Sequence, residues 1–364
     1  MKNLACNGSV KQKDTFWQAV RGVCILAVIM IHCPKGTSFA VESMEFSLWI
    51  LIRQCIIFPV ALFVFFAGYF TNTDTIQKNY RSYITSRAGR LIKPFLVWSV
   101  FYSLLTILRT AAKGNDIDWI VIACRFFTGK SSAQLYYILV LLQLNFLSPL
   151  LIKAIQKNGI AYKLLWLVTP LYLVYVYCWN IVFHEMPILY ATVFPAWFVF
   201  YYIGLTLRLK GQEWTRKLLR FGNLYFVFFA FLLGLIETAI LIKLDSNIEF
   251  FTTQIRFTCF LYAGGIALFL YNKKQRNKTP KHCGILKAFG NYSYGIYYLH
   301  YVVLMVVEKG LCAFSVQKVW LLYFVLTWVL TSAISYVCVL CGNKIAGAKG
   351  SKLGKTVLEW VGFR

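Results

Sequence analysis

Acidic side chains are scarce in this sequence, and so are charges of either sign. Its 364 residues include 13 aspartates and glutamates against 38 lysines and arginines, which gives a formal net charge of +25. Only 14% of the residues are charged, whereas 59% are hydrophobic. A water-soluble domain of this length cannot bury so much apolar surface in one core. The composition therefore excludes an ordinary soluble domain.

The motifs of several enzyme classes are also missing. The chain has no glycine-rich phosphate loop and no nucleophile elbow. Its eleven cysteines are scattered singly, and the one Cys-x-x-Cys pair, Cys338 and Cys341, has no second pair to complete a zinc site. We therefore expect no metal site and no disulfide framework, with the cysteines packed as small hydrophobic residues.

The chain has instead a series of apolar runs, each near the roughly 20 residues that span a bilayer. They predict an all-α polytopic membrane helix bundle with about ten transmembrane helices. The shorter run 118–127 is predicted to lie at the interface or to re-enter the membrane. The predicted spans are 16–33, 46–70, 91–110, 134–152, 164–183, 190–207, 224–242, 255–271, 291–308 and 320–341.

The basic residues lie mainly in short loops between the apolar runs. On one side of a ten-span arrangement, the loops and both termini contain 28 of the 38 lysines and arginines, while most acidic residues fall on the other side. The positive-inside rule then places both termini in the cytoplasm. Because this distribution is typical of a membrane protein, we expect no nucleic-acid binding.

The same arrangement divides the chain into three parts. Residues 1–15 are a cytoplasmic N-terminal segment, 16–341 the transmembrane domain, and 342–364 a basic cytoplasmic tail expected to contact anionic lipid. No small-residue cleavage site follows the first span, so it is expected to be a retained helix and not a signal peptide. No internal repeat is visible, which argues against an inverted-repeat transporter without excluding one.

The first span begins with an arginine and ends with a histidine. Arg21 and His32 are eleven positions apart, about 1100° of helix rotation, so both lie on one helix face, about 16 Å apart along the axis. A permanent cation and a titratable base thus line one stripe of a membrane helix. Alternatively, Arg21 contacts lipid phosphate and His32 only caps the helix end.

A second basic cluster lies in the stretch SRAGRLIKPF. Arg87 and Arg90 are three positions apart and share a helix face, Lys93 follows, and Pro94 is expected to mark the start of the third span's helix. Paired guanidinium groups suit phosphate better than an ammonium group does. The alternative is an ordinary positive-inside anchor.

Three more polar residues fall within apolar runs. Glu237 lies in the seventh span, Arg53 in the second and His300 in the ninth, where each is costly unless it faces a cavity or a partner. Glu237 is expected at a depth similar to that of His32. A contact in which its carboxylate orients the imidazole makes Glu237 a second catalytic candidate. His300 is either another site residue or a packing histidine.

Five segments together resemble the acyltransferase-3 superfamily, the integral-membrane O-acyltransferases of bacterial envelopes. Two positions differ from the family pattern: Gln18 stands where an acidic residue is frequent, and Ala67 where serine is frequent. The resemblance extends from residue 16 to about 341. The five segments, in chain order, are RGVCILAVIMIH, FPVALFVFFAGYF, RAGRLIKPF, LYYILVLLQLNFLSPLL and GNYSYGIYYLH.

The resemblance implies a ten-helix bundle that transfers a short acyl group, usually acetyl, from cytoplasmic acyl-coenzyme A to a hydroxyl. His32 would be the catalytic base. The phosphates of acetyl-CoA, the expected acyl donor, would be held by Arg21, Arg87 and Arg90. Arg53, Asn145 or a backbone amide is expected to stabilise the oxyanion.

The expected acceptor is an envelope glycan or glycolipid at the bacterial cytoplasmic membrane, because no hydrolase-like domain follows the tenth span. Membrane lipids are the other expected partners, and the sequence does not indicate an oligomeric state. Two other classes of protein stay open at this point. One is a transporter of polysaccharide or lipid-linked sugar, which moves its substrate without forming an ester. The other is a membrane sensor or scaffold that has lost activity.

Overall fold

The computed structural model describes residues 14–34, 36–218, 221–276, 283–348 and 352–363. Within these residues the chain forms α-helices and short 3₁₀ turns but no β-strand, which confirms the all-α prediction. The α-helices are α1 (Thr15–His32), α2 (Met44–Cys55), α3 (Pro59–Tyr69), α4 (Thr73–Lys78), α5 (Tyr80–Ala112), α6 (Trp119–Phe127), α7 (Tyr136–Lys157), α8 (Ile160–Leu164), α9 (Val168–Phe183), α10 (Phe198–Leu218), α11 (Leu224–Lys243), α12 (Ile248–Thr252), α13 (Phe257–Gln275), α14 (Gly284–Ala313), α15 (Trp320–Ala348) and α16 (Lys352–Val361).

In the described part of the chain, nine segments are long and apolar enough to cross a bilayer, one fewer than predicted. They are α1, α2 with α3, α5, α7, α8 with α9, α11, α12 with α13, α14 and α15. The predicted span 190–207 is not among them. Helix α10 begins only at Phe198, and its second half includes charged residues such as Arg208 and Lys210. The nine apolar segments make the chain a multi-pass membrane protein.

Short polar side chains start many of these helices. They accept hydrogen bonds from backbone N–H groups that have no partner inside the helix. Asn79 caps α5 by accepting from the amide of Ser82, so the helix begins at Tyr80, eleven residues before the predicted span. The prediction that Pro94 marks a helix start is therefore wrong, because Pro94 is buried inside α5. The same capping role is played by Asp14, Ser43, Asn72, Asp118, Asn223 and Asn247.

Helices α1 and α14 pack against each other along their length, and glycines set their separation. A Cβ atom on Gly22 would lie 2.0 Å from the carbonyl oxygen of Leu286. A Cβ atom on Gly290 would lie 1.8 Å from the carbonyl oxygen of Gln18. No side chain fits at either position, so the two backbones approach closely. This approach brings the Arg21–His32 stripe of α1 beside α14.

The C-terminal helix α16 packs on α5 and α15. The indole N–H of Trp98, on α5, donates to the carbonyl oxygen of Val361 at 2.9 Å. The ring of Phe363 fits a notch made by Gly295 and Gly342, where added Cβ atoms would lie 3.2 Å and 2.9 Å from it. The predicted tail 342–364 thus contains a docked helix, while residues 1–13 of the predicted N-terminal segment lie outside the described residues.

Candidate active site

One end of the bundle contains a cavity of about 720 Å³ between α5 and α16, called here the mouth cavity. Its basic groups come from successive turns of α5. The guanidinium group of Arg90 donates to the carbonyl and hydroxyl oxygens of Ser86, both at 3.2 Å. Lys93 lies 3.9 Å from Glu359 of α16. The lining side chains include Arg87, Arg90, Lys93, Tyr294 and Glu359.

A second cavity of about 300 Å³, the middle cavity, contains both Arg21 and Arg87 in its wall. The guanidinium carbon of Arg21 lies 5.0 Å from the ring centre of Phe70 and 5.7 Å from that of Phe66. Arg87 donates to the carbonyl oxygen of Phe70 at 3.5 Å. Within the described residues, neither guanidinium group forms an ion pair with a carboxylate. The middle cavity therefore has uncompensated positive charge.

His32, the last residue of α1, lines a third and smaller cavity of about 50 Å³, the His32 cavity. Its imidazole is half-buried, with the ring centre 5.4 Å from that of His300 and 5.6 Å from that of Tyr301. The wall is aromatic and amide-bearing. It includes Phe63, Gln134, Tyr136, Tyr137, Gln254 and Tyr297.

The three cavities lie in a row. The mouth and middle cavities share Arg87, Leu91 and Tyr294 as wall residues. The middle and His32 cavities share another three, which are Phe63, Tyr137 and Tyr297. The three cavities are thus neighbours, in order from the arginines on α5, past Arg21, to the imidazole at the end of α1. The structure places Arg21, Arg87, Arg90 and His32 in the walls of this one row of cavities.

Glu237 does not line any of these three cavities. Its carboxylate accepts hydrogen bonds from the hydroxyls of Tyr177 and Thr258 and lies 3.5 Å from the guanidinium group of Arg256. The structure places Glu237 in the wall of a different cavity from His32, so it does not bring the two predicted catalytic residues together there. Helix α11 places Glu237 towards α13, whereas α1 packs on α14 and α3. Arg256 was not singled out from the sequence, although it follows a polar segment at the start of the eighth span.

The other polar candidates are engaged elsewhere. Asn145 accepts from the Tyr83 hydroxyl at 3.0 Å and donates to the Leu141 carbonyl oxygen at 2.7 Å, so both ends of its amide are used. Arg53 donates to the carbonyl oxygen of Thr252 at 2.7 Å. His300 is fully buried, and its Nδ1 lies 3.1 Å from the carbonyl oxygen of Ile296. None of the three lines the His32 cavity.

Two polar wall residues of the His32 cavity, Gln134 and Gln254, were not singled out from the sequence. Each follows or precedes an apolar run, where a glutamine is common and gives no signal of its own. Across the described residues, no group of three or more His, Cys, Asp or Glu side chains is arranged to hold a metal ion.

Fold and site together define an integral-membrane protein with a row of cavities inside a helix bundle, with cationic side chains at one end and an imidazole at the other. The acyltransferase-3 family model, described as an acyltransferase domain, matches residues 14–340. The chain therefore belongs to the acyltransferase-3 family and is a membrane acyltransferase. Neither the curated proteins nor the solved structures yield a significant match to it.

Proposed function

We propose that this acyltransferase moves an acetyl or other short acyl group from cytoplasmic acyl-CoA to a hydroxyl of a cell-envelope carbohydrate or glycolipid. The observation that supports the proposal is the row of cavities from Arg90 and Arg87 to His32. We place its basic end at the cytoplasmic face of the bacterial inner membrane, where the donor is made.

The coenzyme's shape suits this row. Its nucleotide end bears several negative charges, and Arg87, Arg90 and Lys93 in the mouth cavity offer them charge-assisted hydrogen bonds. Its pantetheine arm is long, thin and nearly uncharged, so it fits between the aromatic walls of the middle cavity. Arg21 lies there as a further cation for a phosphate near the start of the arm. The thioester then reaches the His32 cavity.

Transfer in the His32 cavity needs a base and a hydroxyl. The acceptor oxygen attacks the thioester carbonyl carbon while His32 removes its proton. The new C–O bond forms, the C–S bond breaks, and the proton passes from the imidazolium to the leaving thiolate. The products are an O-acyl ester and free coenzyme A, so no other reactant is required.

The test uses vesicles that contain the protein, acetyl-labelled coenzyme A and envelope glycans, with O-acetyl ester as the product measured. His32→Ala is expected to insert normally and to lower transfer by at least about 100-fold, the usual effect of losing a general base. Arg90→Ala is expected to raise the KM for acetyl-CoA about tenfold with little change in kcat.

A matched control is Arg109→Ala, which removes an exposed arginine of the same helix that lies outside the cavities. It is expected to leave both constants unchanged. Undiminished transfer by His32→Ala would contradict the assigned base. Movement of a sugar across the membrane with no ester formed would contradict acyl transfer and favour a transporter.

A further inference from the structure

Phe70 lies where α3 ends, and it contacts two arginines of the middle cavity. The guanidinium carbon of Arg21, on α1, lies 5.0 Å from the centre of the Phe70 ring. The backbone carbonyl oxygen of Phe70 accepts a hydrogen bond from the guanidinium group of Arg87, on α5, at 3.5 Å. All three residues line the middle cavity. One residue therefore contacts two cations that come from two different helices.

The end of α3 attracts cations. The last carbonyl groups of a helix have no partner inside it and bear partial negative charge. Thr71 donates to two of those in α3, from its hydroxyl to Ala67 at 2.7 Å and from its amide to Gly68 at 3.2 Å. The carbonyl group of Phe70 accepts from Arg87 instead. The helix end therefore holds this guanidinium group by charge as well as by a hydrogen bond.

Phe70 itself sits on a fixed part of the bundle. Helix α3 packs closely on α10, because a Cβ atom on Gly68 would lie 2.2 Å from the carbonyl oxygen of Tyr201. The ring of Phe70 packs against two other rings, with its centre 6.3 Å from that of Trp17 and 6.2 Å from that of Phe66. The ring and the carbonyl group of Phe70 thus offer two fixed contacts to the two arginines.

The two guanidinium groups have the same charge and line the same cavity, so they repel each other. Within the described residues no carboxylate pairs with either of them. A contact with a ring face attracts a guanidinium group without using its N–H donors. Arg21 can therefore be held by Phe70 and still donate to the oxygen atoms of a phosphate, and an anion between the two arginines relieves their repulsion.

We propose that Phe70 is a positioning residue that holds Arg21 and Arg87 as one clamp for the pyrophosphate group of the acyl-CoA donor. This inference rests on the proposed function. The pyrophosphate joins the nucleotide to the pantetheine arm, and the middle cavity lies between the mouth cavity and the His32 cavity. The 3′-phosphate, at the nucleotide end, is then left to Arg90 and Lys93 of the mouth cavity.

The experiment compares three donors, which are acetyl-CoA, acetyl-dephospho-CoA without the 3′-phosphate, and S-acetylpantetheine without any phosphate. Phe70→Leu removes the ring and keeps the backbone carbonyl group. It is expected to raise the KM about tenfold for the first two donors with kcat unchanged, and to leave kcat/KM for S-acetylpantetheine unchanged. Phe70→Tyr, which keeps the ring face, is expected to hold the KM for acetyl-CoA within about twofold of wild type.

A matched control is Phe146→Leu, the same change on α7 at an exposed position outside the three cavities. It is expected to leave kcat and KM unchanged for all three donors.

A double variant tests whether Phe70 acts through Arg21. In an Arg21→Ala background, Phe70→Leu is expected to raise the KM for acetyl-CoA less than about twofold, because the cation that the ring holds is gone. A full further tenfold rise in that background, or an equal loss with all three donors, would overturn this inference and leave the proposed function standing. Failure of the wild-type protein to form any ester from acetyl-CoA would instead remove the proposed function.

Discussion

Arg256 is almost completely withdrawn from solvent, with 1% of the residue exposed. Its guanidinium group donates to the Thr238 hydroxyl at 2.7 Å and to the Gln54 amide oxygen at 3.3 Å, and Glu237 supplies the opposing charge at 3.5 Å. A buried cation with these partners ties α11, α2 and α13 together. The contacts of the Glu237 carboxylate are therefore those of a structural ion pair.

Replacing Glu237 by alanine leaves the buried guanidinium group of Arg256 without its counter-charge. Breaking a buried ion pair in this way costs about 3–5 kcal/mol. We expect a clear fall in the thermal unfolding temperature in detergent, while the protein that stays folded keeps its kcat within about threefold and an unchanged pH–rate profile. Glu45→Ala, which removes an exposed carboxylate of α2 that forms no ion pair within the described residues, is the control. A shifted pH–rate profile in Glu237→Ala would show that the carboxylate acts on His32 after all.

The sequence predicts the positions of the individual helices better than it predicts how they pack. Apolar runs near the length of a bilayer indicate where α7, α11 and α15 lie, because each needs only its own hydrogen bonds to be stable in lipid. The run 46–70 is one span but two helices, since the chain leaves the helical conformation between Cys55 and Pro59. Hydropathy does not report such a break, because averaged over a membrane-spanning window the whole segment is one apolar stretch.

Contacts between helices are less visible in the sequence. The spacing of Arg21 and His32 on one helix face was predictable, because helix geometry alone determines it. The partners of Glu237 were not predictable, since depth in the membrane does not specify which helix lies beside it. The position of Gln134 beside His32 could not be predicted for the same reason, because it depends on how the helices pack.

Helix α16 supplies one wall of the mouth cavity through Leu358 and Glu359, together with Gly362 just after its end. It lies beyond the residues matched by the family model, which end at 340. Its position is fixed by Phe363 in the glycine notch of α14 and α15. Under the proposed function, binding of the donor's nucleotide end at Arg87 and Arg90 is expected to depend on this segment, which lies outside the matched residues.

Truncation after Ala348 removes this wall and leaves every transmembrane segment in place. We expect the KM for acetyl-CoA to rise about tenfold and kcat at saturating donor to change less than twofold. Phe363→Ala, which only loosens the docking, is expected to give a smaller rise in KM. An unchanged KM in both variants, measured by initial rates in vesicles, would show that α16 does not take part in donor binding.

At the scale of the whole molecule, positive charge is concentrated at one end. The predicted cytoplasmic loops include the arginines of the mouth cavity, and the opposite loops contain most of the acidic residues. Orientation follows from this asymmetry because basic loops are retained on the cytoplasmic side. The mouth cavity is then expected to face the cytoplasm, and so are both termini when α10 is counted as a tenth crossing beside the nine apolar segments.

Single cysteines in a cysteine-free variant test this orientation. A cysteine at Asp116, between α5 and α6, is expected to react with a membrane-impermeant maleimide in intact cells. A cysteine at Leu353, on an exposed position of α16, is expected to react only after the cells are permeabilised. Labelling of the Leu353 position in intact cells would reverse the orientation and place the donor site on the wrong side for a cytoplasmic coenzyme.

The decrease in volume along the three cavities, from about 720 to about 300 to about 50 Å³, has an electrical consequence. A wide water-filled channel through the bundle would let ions cross and would dissipate the membrane potential. The smallest of the three, the His32 cavity, is lined mainly by aromatic rings and amide side chains and holds only a few water-sized volumes. It lies at the opposite end of the row from the mouth cavity. Under the proposed function, only the acyl group passes this smallest cavity, while the coenzyme and ions are expected to stay on the cationic side.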